Sequence, residues 1–140
     1  MSGLQDLLVD LVALSLQGKQ LHWHVQGKDF RSVHLQIDEV VDSARTYSDQ
    51  VAERAVTLGN AVDGTPEAVA KENGLPGLPE GWVKDEDAVR LLADAVAAVI
   101  ERGRELIEAS EDEPVTQDLV IAIVGGLEKH LWMLRSQLVR

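Results

Sequence analysis

The sequence predicts an all-α fold of four long helices with one long crossover between the second and third. Three observations carry that prediction. Every extended segment repeats its apolar residues at a helical period. No alternating β-branched run suggests a strand. Three of the four prolines fall in one stretch, 60–81, where the helical pattern lapses. At 140 residues, 45% hydrophobic and 26% charged, the chain reads as one globular domain, 1–140, able to bury a sizeable core.

The first helix is expected from about Leu4 to Val25, with Leu4, Leu7, Leu11, Leu14, Gly18 and Val25 on its apolar stripe and Gly27 as the stop. A short connection through Asp29 and Phe30 leads to the second helix, with Ser32 the candidate N-cap and Gly59-Asn60 beyond its end at about Leu58. Its apolar stripe is Val33, Ile37, Val40, Ala44 and Val51. In the crossover, Thr65-Pro66-Glu67 makes a good helix start, so a short helix is expected from Pro66 to about Glu72. The third long helix is expected from about Glu86 to Ser110, its stripe running through Leu92, Ala95, Val96, Val99, Gly103 and Leu106. Glu113-Pro114 marks a break, and a fourth helix carries Leu119 through Leu138. Four long helices with one crossover is the pattern of ferritin-like bundles.

Composition narrows the chemistry. The chain has no cysteine, which excludes disulfides, iron–sulfur clusters and cysteine-based zinc sites and fits a cytoplasmic location. The opening MSGLQDLLVDL lacks the basic start and cleavage pattern of a signal peptide, and no apolar run approaches the ~18 residues of a membrane span. A net charge of −11 reads either as simple solubility or as attraction of cations and repulsion of phosphate backbones, and where the acids sit decides between them.

Five residues stand out: His22, His34, Asp38, Asp49 and Glu53. Imidazoles mixed with carboxylates suit iron better than thiolate-bound zinc. His34 and Asp38 are one four-residue helical step apart, and Asp49 and Glu53 repeat that step on the same face. Along the axis, however, Asp38 and Asp49 lie ~16 Å apart, against metal–ligand bonds of ~2.0–2.3 Å. One copy of the helix therefore cannot close both pairs on one ion. Two copies packed antiparallel about a two-fold axis can, giving two equivalent sites per dimer, with His22 completing each. Taken singly, His22 reads as a core histidine and His34/Asp38 as a surface ion pair of little energetic value. Asp42 and Arg45 belong to a solvated face. Five ligand types in one register reverse that balance.

The run His22-Trp23-x-Val25-x-Gly27-x-x-Phe30-x-x-x-His34-x-x-x-Asp38-Glu39, followed by Asp49-x-x-x-Glu53-Arg54-x-x-x-Leu58-Gly59, resembles the Dps family, the mini-ferritins first described as DNA-binding proteins from starved cells. Leu127-Glu128-Lys129-x-Leu131-Trp132 is similar to the family's last helix. The resemblance implies a dodecameric shell built from two-fold dimers and a ferroxidase centre shared between subunits. His22, His34 and Asp38 would come from one subunit, Asp49 and Glu53 from its neighbour. It implies oxidation of Fe(II), typically by hydrogen peroxide, and storage of ferric mineral, with Zn²⁺ or Mn²⁺ as possible competitors. Full-size ferritins use Glu-x-x-His within one bundle, and no histidine here has a glutamate three residues before it.

Further residues receive narrower expectations. Lys19 is placed for a supporting contact one turn before His22. Trp23 lies beside the site, as packing or as an interceptor of radical by-products. His24, where the family more often has asparagine, lies ~200° around the helix from His22 and should point elsewhere. His130, Trp82 and Trp132 read as packing. Glu105, Glu108, Glu111, Asp112 and Glu113 crowd a helix C-terminus whose dipole disfavours them. The family implies that the start of the fourth helix lines an iron-entry pore. Asp118 leads the candidates, followed by Glu113 and Asp112, although Asp118 also suits the helix N-terminus. Relatives that bind DNA commonly use basic tails, whereas no lysine or arginine precedes Lys19 and the last helix is followed closely by Arg140. Direct DNA binding and nucleoid association are therefore not expected. A nucleoid-compacting protein is the alternative function, and an inert helical dimer the third reading.

Overall fold

The computed structural model describes residues 2–139, with side chains from 3 to 139, so Arg140 lies outside the described residues. It is built from α1 (Ser2–His24), β1 (Val25–Gln26), α2 (Phe30–Thr57), α3 (Pro66–Glu72), β2 (Val83–Lys84), α4 (Asp85–Ala109) and α5 (Pro114–Ser136). The four long helices form a bundle in which α1 lies along α2 and α4 along α5, with α1 also meeting α4. The crossover that joins the two hairpins carries α3. Among the described residues, no helix is long and apolar enough to cross a membrane.

The predicted stripes meet in one core. Leu4, Leu7, Leu11 and Leu14 of α1, Val33, Ile37, Val40, Ala44 and Val51 of α2, and Leu92, Ala95, Val96, Val99 and Leu106 of α4 are all buried. Two glycines let helices approach closely. A Cβ at Gly18 would lie 2.5 Å from a Val41 methyl, and one at Gly103 would lie 2.6 Å from a Val124 methyl. Helix α1 buries more than one face because α3 packs on its outer side, where Val9 and Ala13 meet Val69. Thr65 caps α3, its hydroxyl accepting the Ala68 N–H, as the Thr-Pro-Glu start predicts.

Several boundaries differ from the expectations. Helix α2 begins at Phe30 with Asp29 as its N-cap, so Ser32 lies in the first turn and its hydroxyl donates to the Asp29 carbonyl instead. Helix α4 begins at Asp85 and ends at Ala109 rather than running from Glu86 to Ser110. Helix α5 starts at Pro114, directly after the predicted break, and ends at Ser136, before Leu138. Helix α1 stops at His24 because Val25 and Gln26 pair in parallel with Val83 and Lys84. So short a bridge has no periodicity for a sequence reading to detect. It joins the α1–α2 turn to the end of the crossover.

A buried acid ties the crossover down. Asp10, 1% exposed, accepts the Gly74 N–H at 2.8 Å and faces Arg102 Nε of α4 at 2.9 Å. Gln5 adds two hydrogen bonds to Asp63, and Gln17 donates to the Pro76 carbonyl. Replacing Asp10 with alanine strands the Gly74 N–H and leaves Arg102 to its longer contact with Asp6, at 3.5 Å. Asp10→Ala is expected to lose about 2 kcal/mol of stability, read as a lower urea midpoint; an unchanged midpoint would refute the role given to this contact.

On the α2–α5 seam, His130 Nε2 lies 2.8 Å from Ser43 Oγ, while its buried Nδ1 has no partner. Burial lowers its pKa below 6.5, against the pull of Glu39 and with help from Lys129. The unfolded chain therefore takes up a proton on this imidazole before the folded chain does. Stability must fall as pH drops through 6.5 and level off below the folded pKa. Urea midpoints from about pH 7.5 to about pH 5.5 should decline more steeply for the native chain than for His130→Gln. Parallel declines would remove His130 from the account.

Candidate metal centre

The centre begins where α1 ends and α2 begins. His22 lies in the last turn of α1 and is 9% exposed, while His34 lies in the second turn of α2. Antiparallel packing stacks their rings, with centroids 3.6 Å apart and planes 12° from parallel. His22 Nδ1 is 2.8 Å from the His34 carbonyl oxygen, and His34 Nδ1 is 2.7 Å from the His22 carbonyl oxygen. A carbonyl only accepts, so each neutral ring carries its hydrogen on Nδ1 and keeps its lone pair on Nε2. Nε2 is then the atom left to bind a metal, in a ring already fixed in orientation. The His22 carbonyl is also one of the last four of α1, which have no partner within the helix. His34 therefore satisfies a helix end while its ring is being held. Phe30 stacks on His34 at 4.9 Å, and Trp23 stands 62% exposed beside the pair.

Asp38 lies one turn beyond His34. One of its oxygens is 2.5 Å from Lys19 Nζ of α1 and 3.8 Å from His22 Nδ1. The Lys19 hydrogen bond holds the Asp38 carboxyl below its usual 3.8, against the cost of desolvation and with help from the charge of Lys19 and, where the rings are protonated, of His22 and His34. Lys19 thus contacts Asp38, giving substance to the supporting position expected from sequence. Within one chain His22 thus stacks on His34 and lies near Asp38.

Asp49 and Glu53 do not join them. Both are exposed, farther along an α2 that stays helical from Phe30 to Thr57. Glu53 borders a shallow hollow with Ala52, Val56 and Thr57. No three histidine, aspartate or glutamate side chains gather into a metal-holding group among the described residues. One chain therefore presents an imidazole-rich half, formed by α1 and the start of α2, and a carboxylate half farther along α2, with about 16 Å of helix axis between Asp38 and Asp49.

His24 turns away from the pair. Its Nδ1 bonds to the Gln20 carbonyl and its ring contacts the exposed Trp82. Trp132 is 65% exposed, so packing within this chain does not account for it. Of the pore candidates, Asp112 and Asp118 are exposed, whereas Glu113 is half-buried. Arg54 Nη2 donates to Glu113 at 3.0 Å, and Arg54 Nε donates to the buried Thr116 hydroxyl at 3.0 Å. Glu113 therefore clamps the start of α5 to α2, which distinguishes it from its two exposed neighbours. Sequence reading missed this clamp, since Arg54 and Glu113 are far apart along the chain. The reciprocal imidazole–carbonyl bonds were equally invisible, because they join side chains to main chain across two helices.

The family profile described as ferritin-like domain matches residues 1–140. The DNA protection during starvation protein of Mycolicibacterium smegmatis is 39% identical, with 96% of this chain and 74% of the relative aligned. Among solved structures, Dps of Mycobacterium smegmatis in a tetragonal crystal form is 38% identical with a TM-score of 0.94, covering 99% of this chain and 85% of that one. Dps from Microbacterium arborescens in its high-iron form is 28% identical with a TM-score of 0.95, covering 99% and 91%. A four-helix bundle matched over its whole length, with curated relatives named for DNA protection during starvation, places this chain in the Dps family of ferritin-like proteins.

Proposed function

We propose that this protein is a ferroxidase and iron-storing mini-ferritin. It oxidises Fe(II), with hydrogen peroxide as the electron acceptor, at centres shared between two-fold-related subunits. A dodecameric shell in the cytoplasm retains the ferric product and lowers oxidative stress. The observation that carries this reading is the His22/His34 pair, whose reciprocal Nδ1 bonds leave both Nε2 lone pairs uncommitted, with His34 one helical turn from Asp38.

On this reading His22, His34 and Asp38 receive Fe(II) from one side, and the neighbour's Asp49 and Glu53 close on it from the other. The helical step shared by the two pairs supports the division, as does the exposure of the carboxylate half. Two imidazoles give a borderline nitrogen set, and three carboxylates supply hard oxygens that favour the ferric product. Zn²⁺ and Mn²⁺ fit the same donors and should compete. Each Fe(II) gives up one electron, and peroxide takes two electrons and two protons to leave as two waters. The lowered pKa of Asp38 extends the ionised range of that carboxylate below its usual 3.8. Asp112 and Asp118, exposed and acidic at the start of α5, are the proposed attractors for incoming cations.

Complementation tests the shared centre. His34→Ala and Glu53→Ala assemblies should each lose nearly all peroxide-dependent Fe(II) oxidation. Subunits unfolded together and co-assembled in equal amounts should recover about a quarter of the native rate, because half the dimers are mixed and each mixed dimer holds one intact centre of two. No recovery in mixed assemblies of native size would place the whole site in one chain.

The relatives' names speak of DNA protection, and we assign any such protection here to removal of iron and peroxide rather than to contact. Chains carrying −11 each make a polyanionic shell that repels duplex DNA. No retardation of duplex DNA is expected in gels at moderate salt without divalent metal; a shifted band would revive the nucleoid-compacting alternative.

A further inference from the structure

We propose that Asp85 is a positioning residue for the His22/His34 pair. Rooted in the first turn of α4, its carboxylate sets the turn that joins α1 to α2, and thereby the overlap of the two imidazoles. The proposal rests on reading that pair as iron ligands, and the experiment below separates the two.

The chain between the imidazoles leaves the helical conformation only from Val25 to Asp29. Three consecutive residues at the end of the crossover hold that stretch. Val83 pairs with Val25, Lys84 pairs with Gln26, and Asp85 Oδ2 accepts the Asp29 N–H at 2.9 Å. Gly27 turns the chain at φ +131°, and a Cβ there would lie 2.5 Å from the same Oδ2. The glycine thus permits both the left-handed turn and the approach of the carboxylate. Asp85 Oδ1 meanwhile accepts the Glu86 N–H at 2.8 Å, which fixes the carboxylate to its own helix.

The hold is passed on to His34. The Asp29 carbonyl accepts the Val33 N–H at 3.0 Å, so the direction in which α2 sets out follows from where Asp29 is held. His34 is the next residue, and its ring must reach the His22 carbonyl at 2.7 Å. A helix-start acid has no need of this reach. Glu86 and Asp87 share the first turn and already complement the dipole of α4.

Co²⁺ provides the test, because its visible bands report ligand number and geometry. Anaerobic Co²⁺ titration of assembled native protein, Asp85→Asn, Gly27→Ala, Asp87→Asn and His34→Ala gives affinity and band shape together. Asp85→Asn turns an amide nitrogen toward one of two N–H donors. It should bind Co²⁺ about 10-fold more weakly, with altered bands. Asp87→Asn makes the same charge change on an exposed neighbour and should alter neither. His34→Ala should abolish the bands, and if it does not, the ligand reading fails whatever Asp85 does. Native affinity and bands in Asp85→Asn, with His34→Ala silent, would overturn the positioning role. Gly27→Ala reaches the same carboxylate from the other side. It carries the same expectation and the same refutation should Asp85→Asn fail to assemble.

Discussion

The mutual hold of His22 and His34 is the contact on which the proposed site depends. Each ring gives its Nδ1 hydrogen to the other's main-chain carbonyl, so neither imidazole can turn without breaking a bond that also joins two helices. The His22 carbonyl would otherwise be unpaired at the end of α1. The same hydrogen bonds therefore finish a helix, pin the α1–α2 hairpin and select the tautomer that exposes Nε2. A histidine pair held in this way has its orientation settled by the fold before a ligand arrives, which removes ordering cost from binding.

Around that hold, charged side chains act at a distance from where their sequence neighbours suggest. Lys19 reaches from α1 to Asp38 on α2, Arg54 from α2 to Glu113 and Thr116 at the start of α5, and Asp85 from α4 to the turn before α2. Asp10 spans the crossover and α4 from inside the bundle. Each joins elements that the hydrophobic core brings close but does not align. Apolar packing is non-directional, whereas a carboxylate between two N–H groups accepts only a narrow range of positions. The core supplies the bundle, and these contacts supply its register near the proposed site.

The division of the ligands follows from the stiffness of α2. A helix unbroken from Phe30 to Thr57 keeps Asp38 and Asp49 apart whatever the rest of the chain does. A centre that used both pairs would require a second molecule, and Asp49 and Glu53 are exposed in the single chain. Under the proposed function, assembly and chemistry become one requirement: a lone subunit carries ligands but no complete site.

Much of this was legible in the sequence. The apolar stripes of α1, α2 and α4 were correct nearly residue by residue, because burial in a bundle repeats at the helical period. The Thr65-Pro66 start was correct because its cap is local. Ser32 is not the cap because α2 begins two residues earlier, at Phe30, with Asp29 at the N-cap position but without a side-chain capping bond, so the cap rule that favours serine does not set this boundary. The two-residue bridge from Val25–Gln26 to Val83–Lys84 escaped notice because it satisfies tertiary geometry rather than a strand pattern. The sequence by itself determined the helices, their inward faces and the separation of the two ligand pairs, since all three depend on spacing along one chain. The tertiary structure alone decided the ring tautomers, the partners of Lys19, Arg54 and Asp85, and the different standing of Glu113 from Asp112 and Asp118. Those depend on groups far apart in sequence meeting within hydrogen-bond distance, and no local periodicity encodes them.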